Sequence, residues 1–167
     1  MRNRAMITNA TAIVATSLAL GGFGPSAAQA STTCTWGGTP AEPTGTIGFS
    51  PGITNAPASE PGRLIATGPL GGGCSGTLTF KGSAGGTCAH GFGEGTAKGL
   101  PGVARWTAEV FAGLAPALLY DNRGEVVGSE NAQFVTNVAG EEDPAMACNS
   151  PEGFKRGKFS SVIELTR

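Results

Sequence analysis

Histidine is almost missing from this chain: His90 is the only one in 167 residues. A hydrolytic triad needs a nucleophile with a base in hydrogen-bond reach, and here every serine would compete for one imidazole. No G-x-S-x-G elbow is present either. Charge is also scarce, at 14 % of residues, where about a quarter is usual. The basic residues are scattered, with one small cluster at Lys155-Arg156-Gly157-Lys158. That leaves no electrostatic footprint for nucleic acid or an anionic membrane. The cysteines form no C-x₂-C pair, so zinc-type spacing is absent and no metal or cofactor is expected. Gly93-Glu-Gly-Thr-Ala-Lys98 has glycines and a lysine but not Walker spacing, which excludes a phosphate loop. No apolar run approaches the ~20 residues that a spanning helix needs.

What is present begins with an export leader. Arg2 and Arg4 make a positive start, Ile13 to Leu20 an apolar centre, and Ala28-Gln29-Ala30 a small-residue cleavage site after Gly24 and Pro25. Residues 1–30 are therefore expected to be removed, leaving 31–167 as a single secreted, extracellular domain of ordinary size. No cysteine stands at the cleavage point to take a lipid anchor. The remaining segment carries nine basic and twelve acidic side chains, a net charge of −3, and most of the chain's 28 glycines. Such a composition favours loops and β-structure over helix.

The stretch Cys74 to Cys88 carries the clearest strand. Cys74, Gly76, Leu78 and Phe80 share one face, and Ser75, Thr77, Thr79 and Lys81 share the other. This is the period of a half-buried strand. Gly82-Ser-Ala-Gly-Gly86 then reads as a hairpin loop, which pairs 75–81 with 87–93. In that register Cys74 and Cys88 sit at opposite ends of the hairpin, beyond the ~7 Å reach of a disulfide. Four cysteines in an exported chain predict two disulfides. The favoured pairing is Cys34–Cys74 with Cys88–Cys148, each worth about 4 kcal/mol through chain entropy.

After Cys88 the alternation is lopsided. Cys88, His90, Phe92, Glu94, Thr96 and Lys98 share one face, while the other has only glycine and alanine (Ala89, Gly91, Gly93, Gly95, Ala97, Gly99). Glycine weakens a strand, so the bare face needs an occupant. Either a large ring lies against it, with Trp106 the nearest candidate, or His90, Glu94 and Lys98 line a pocket.

Further strands are expected at Thr44–Phe49, stopped by Pro51-Gly52, and at Arg63–Thr67, ended by Gly68-Pro69. Others follow at Val103–Phe111 with Ala104, Trp106, Ala108 and Val110 inward, at Ala117–Tyr120, at Glu125–Val135 and at Phe159–Leu165. Asp121-Asn-Arg-Gly124 is a tight turn. Glu130 shares parity with Val126, Gly128, Ala132 and Phe134, and an unpaired carboxylate on an apolar face is costly. A bulge at Gly128 that turns Glu130 outward is the preferred solution. Asp143-Pro144, after Glu141-Glu142, marks the N-cap and first residue of a short helical turn bearing Cys148. An acidic calcium loop is the alternative, but its alternating oxygen ligands are missing. Eight or so short strands with turns between them predict an all-β fold, a small antiparallel sandwich or barrel.

Cys34-Thr-Trp-Gly-Gly-Thr-Pro40, Gly99-Leu-Pro-Gly-Val103, Leu118-Leu-Tyr-Asp121 and Cys148-Asn-Ser-Pro-Glu-Gly-Phe154 resemble stretches of small exported proteins of high-GC Gram-positive bacteria. The resemblance spans most of the mature chain and implies no catalytic residue, since that group has no assigned activity. The enediyne-binding apoproteins are similar in size and in having two disulfides. Their disulfide loops are short, and the wide spacings here depart from them.

The leading expectation is a non-catalytic exported β-domain that binds something or serves at the cell envelope. A second is a barrel or sandwich holding a small apolar ligand, with His90, Glu94, Lys98, Glu130 and Trp106 as the candidate binding residues. A third makes His90, Glu94 and Glu130 the acid and base of a small isomerase or hydrolase, Glu94 and Glu130 being the one carboxylate pair to nominate for glycoside chemistry.

Overall fold

In the computed structural model, which describes residues 31–111, 114–135 and 143–166, the alternating segments close into a barrel. The expected leader and the acidic pair Glu141-Glu142 lie outside the described residues. The strands are β1 (Ser31–Trp36), β2 (Gly45–Ile53), β3 (Gly62–Gly72), β4 (Thr77–Gly86), β5 (His90–Lys98), β6 (Arg105–Phe111), β7 (Leu114–Tyr120), β8 (Val126–Val135) and β9 (Phe154–Thr166), with one helical turn, α1 (Pro144–Cys148), before β9. All pairings are antiparallel, in the order β3-β2-β9-β8-β7-β6-β5-β4, and β4 returns to β3 from Gly62↔Ala84 to Pro69↔Thr77. Closure removes the free edges that an open sheet would expose. The fold is thus a barrel, not a sandwich.

The ninth strand is an addition to one stave. β9 pairs with β2 through Phe154–Phe159 and with β1 through Ser161–Thr166. β3 divides likewise between β2 and β1. β1 and β2 therefore lie end to end, and residues 37–44 leave the wall between them. Gly37 makes this possible: its φ is +78°, and its carbonyl accepts from Thr44 N at 2.8 Å and Gly45 N at 3.0 Å. A side chain there would meet the Gly45 Cα at 2.8 Å. Only glycine fits a left-handed position this crowded.

Several expected boundaries move. Gly82–Gly86 is strand and not a hairpin loop: it pairs with β5 from Gly82↔Gly95 to Gly86↔Gly91. The turn falls at Thr87–Ala89, where Thr87 N donates to His90 O at 2.8 Å. Neither Pro51-Gly52 nor Gly68-Pro69 ends its strand. Glycine and proline punctuate isolated segments, but Gly68 and Pro69 keep ladder partners in Leu78 and Thr77 of β4, while Pro51-Gly52 falls where the β2–β9 register shifts between Gly48 and Ile53. The shifted hairpin still puts Cys74 and Cys88 at opposite ends of β4. The disulfides are Cys34–Cys74 and Cys88–Cys148, with Cα atoms 5.3 Å and 6.1 Å apart.

The expected Asp121–Gly124 turn is present, with Gly124 at φ +87° and the Asp121 carboxylate accepting from Arg123 N and Glu125 N. A bulge also exists at the start of β8, but it acts on the other side of Gly128. Leu119 pairs with Gly128 and Tyr120 with Val126, so the extra residue is Val127. The parity change exposes Val126 and leaves Gly128, Glu130 and Ala132 all pointing inward.

The two ends of the barrel are filled differently. Cys34, Leu78, Leu100, Val103, Leu119, Ile163 and Leu165 plug one end. At mid-height Trp36 stands between Phe80 and Phe159, 4.6 Å from each ring centroid, and Phe80 stacks on Trp106 at 5.1 Å. Both indoles are satisfied by carbonyls: Trp36 Nε1 donates to Leu78 O and Trp106 Nε1 to Thr96 O. Beyond this aromatic layer the inward positions are mostly small.

Candidate ligand cavity

The small residues leave a cavity of about 420 Å³ between the aromatic layer and the end where β2, β4, β6 and β8 finish. An eight-stranded barrel has room for one small ligand when its inward side chains do not fill it, and this volume lies in the usual range for ligand pockets. Its walls come from the inward parity of successive strands: Ala66 on β3, Ala84 on β4, Gly91 and Gly93 on β5, Ala108 on β6, Ala115 and Ala117 on β7, and Ala132 on β8. Trp36, Phe80, Trp106 and Phe159 form its floor.

The bare face of β5 has part of its explanation here, at Gly93, while at Gly95 a Cβ would instead run into the Lys81 carbonyl of β4. Gly93 underlies the Trp106 ring so closely that a Cβ would come within 2.9 Å of it. The ring occupies the space left by the missing side chain. That close approach seats Trp106 against the wall, and the volume beside it stays open.

The mouth is partly covered by α1. Asp143 caps it, its carboxylate accepting from Ala145 N at 2.8 Å and Met146 N at 3.2 Å, and Pro144 follows at the first helical position. The Cys88–Cys148 disulfide ties this turn to the β4–β5 connection. Asn55 N donates to Cys148 O, Cys88 N to Thr54 O, and Asn55 Nδ2 to Asn149 Oδ1. Three chain segments are thus knitted together at the rim. Asn55, Thr87 and Asn149 supply its polar atoms.

Glu130 is the one ionisable side chain among the described residues that line the cavity. It is 4 % exposed, between Ala117 of β7 and Ile163 of β9. Ser161 Oγ donates a short hydrogen bond to its Oε1. Burial without a countercharge pushes its carboxyl up to about 7, and the Ser161 hydrogen bond, the smaller effect, pulls the other way.

The sequence-derived candidates separate. Trp106 and Glu130 line the cavity. His90, Glu94 and Lys98 share a face, but it is the outer one, and all three are exposed. His90 lies edge-on to Phe111, and Glu94 sits in an open outer groove with Lys81, Arg105 and Tyr120. The barrel wall separates Glu94 from Glu130, so they cannot flank one bond, and His90 cannot serve as a base for an interior serine. Sequence reasoning alone misses Ser161, Asn55, Asn149 and the alanine wall. Their signal was present for the alanines: β6, β7 and β8 carry Ala108, Ala115, Ala117 and Ala132 at inward positions where a filled core would need Leu or Ile.

No family model, no curated protein and no solved structure matches this chain. The functional reading rests on the cavity itself.

Proposed function

We propose that this protein is a non-catalytic binding barrel that takes up one small, largely apolar molecule in its interior, acting outside the cytoplasm. The observation that carries the reading is the cavity: about 420 Å³ of apolar space under a disulfide-tethered turn, with a single acid in its wall. A barrel needing only stability would fill these positions, because each buried methyl adds roughly 1 kcal/mol. Export is supported by the leader-like residues 1–30 and by two disulfides, which persist in oxidising compartments. The non-catalytic part of the reading is supported by the chemistry aimed into the cavity. Among the described residues no second acid, base or free oxyanion donor joins Glu130, and both indole N–H groups are already engaged.

The test is a thermal-shift screen of the oxidised protein against apolar molecules of one to three rings, run in parallel on Ala132→Leu. A ligand present at 100 times its Kd stabilises the native state by about 2.7 kcal/mol. Shifts in the native protein that vanish in the filled variant support interior binding. No shift across the library, or equal shifts in both proteins, overturns it.

A further inference from the structure

A lining of alanine, glycine, aromatic rings and the aliphatic Ile47, Ile53, Leu64 and Val110 needs no acid, yet Glu130 is there at a desolvation cost. A ligand hydroxyl or carbonyl could be met by Asn, Gln or Ser at lower cost. A carboxyl adds two capacities that those side chains lack: it moves a proton, or it supplies a negative charge. Proton transfer to carbon or oxygen also needs donors placed where charge develops. None of the described lining residues offers one beside Glu130.

The negative charge is the capacity left. Ser161 Oγ holds Oε1, and no second hydrogen bond joins the carboxyl to another described residue. No charged side chain of the packed strands faces the group: Ala115 and Ala117 of β7 and Ile163 of β9 are its inward neighbours, and Glu164 of β9 points outward. The floor is four aromatic rings, which suit an apolar body.

We infer that the cavity selects a lipophilic amine, an apolar body bearing one ammonium group, with Glu130 as its countercharge. This rests on the proposed interior binding and names its ligand class. The ammonium makes an ion pair with Oε2, the aromatic floor takes the body, and the occupied cavity carries no net charge. A neutral ligand of the same shape would instead leave the carboxylate dry and unpaired, and would bind only with uptake of a proton.

The experiment uses three probes on one skeleton: 1-aminoadamantane, 1-adamantanol and 1-adamantanecarboxylic acid. Binding to the oxidised protein is followed by the fluorescence of Trp36 and Trp106, both in the cavity. At pH 7.5 the amine is expected to bind at least tenfold more tightly than the alcohol, and the carboxylic acid least. Glu130→Gln should remove the preference and keep the alcohol. Within the native protein, amine affinity should rise more than tenfold from pH 5 to pH 8 as Glu130 ionises, while alcohol affinity falls. That profile decides the matter even where the variant fails to fold. Equal binding of amine and alcohol with flat pH profiles overturns the amine assignment and leaves the cavity reading intact. Failure of all three to bind overturns both.

Discussion

The plugged end and the hollow end of this barrel obey the same alternation and differ only in side-chain volume. On β7 the inward positions run Ala115, Ala117, Leu119 from mouth to plug; the first two line the cavity and the third is fully buried. On β6 Trp106 forms part of the floor and Ala108 part of the wall. Both ends are apolar, so hydropathy alone would rate them alike. What separates them is whether facing side chains meet across the interior at the density of a protein core. Stability is concentrated where they meet and binding capacity where they do not.

The largest test of that division concerns the disulfides, one at each end. Replacing Cys34 and Cys74 by alanine should lower stability by about 4 kcal/mol, read by urea denaturation, with the cavity's probe affinity unchanged in the molecules that stay folded. Replacing Cys88 and Cys148 should cost a similar amount and also weaken probe binding, because α1 loses its tether at the mouth. Equal effects of the two pairs on binding would erase the distinction.

Next in size is Leu119→Ala at the plug. A fully buried leucine cut to alanine costs about 2–5 kcal/mol, measured by the same denaturation.

Glu130 supplies a test of comparable size through pH. Its carboxyl stands at about 7 in the folded chain against an ordinary 4.5, so the folded state holds the proton more tightly. Stability is therefore undiminished below about pH 4.5, falls as pH rises toward 7, and levels off above it. The total loss is roughly 3 kcal/mol. Glu130→Gln should flatten this slope, checked by denaturation at pH 4, 5.5, 7 and 8. A slope that survives the substitution would remove Glu130 from the account.

The smallest expected effect sharpens the comparison most. Ala132→Leu adds volume at the hollow end, where there is room for it, so stability should change by less than about 1.5 kcal/mol while probe binding is lost. Thermal denaturation and the adamantyl probes read the two quantities on one sample. A large loss of stability would mean that the cavity is less open than its lining suggests.

Much of the architecture was legible locally. The period of two around Cys74 and Phe80, the Asp121–Gly124 turn and the Asp143-Pro144 helix start each depend on a few neighbouring residues. The disulfide pairing is legible too, although the glycine run by itself places the hairpin turn several residues too early. Cys74 and Cys88 stay at opposite ends of β4 in either register, so the geometric exclusion did not depend on the detail. Glycines at alternate positions demand a close neighbour, which points to Trp106, the ring that lies against Gly93. The candidate site was less legible. Shared parity correctly grouped His90, Glu94 and Lys98 but could not say whether their face looked in or out.

The sequence by itself determined the alternation, the staples and the glycine face, because each is a matter of residue type at short range or of chain geometry between cysteines. Only the tertiary structure decided that the sheet closes, that β1 and β2 share one stave, that Gly82–Gly86 is wall and not loop, and that Glu130 faces the interior. The physical reason is common to all four. A strand has two equivalent faces until the ladder closes around a volume, and a cavity is a property of facing side chains that lie far apart in the chain.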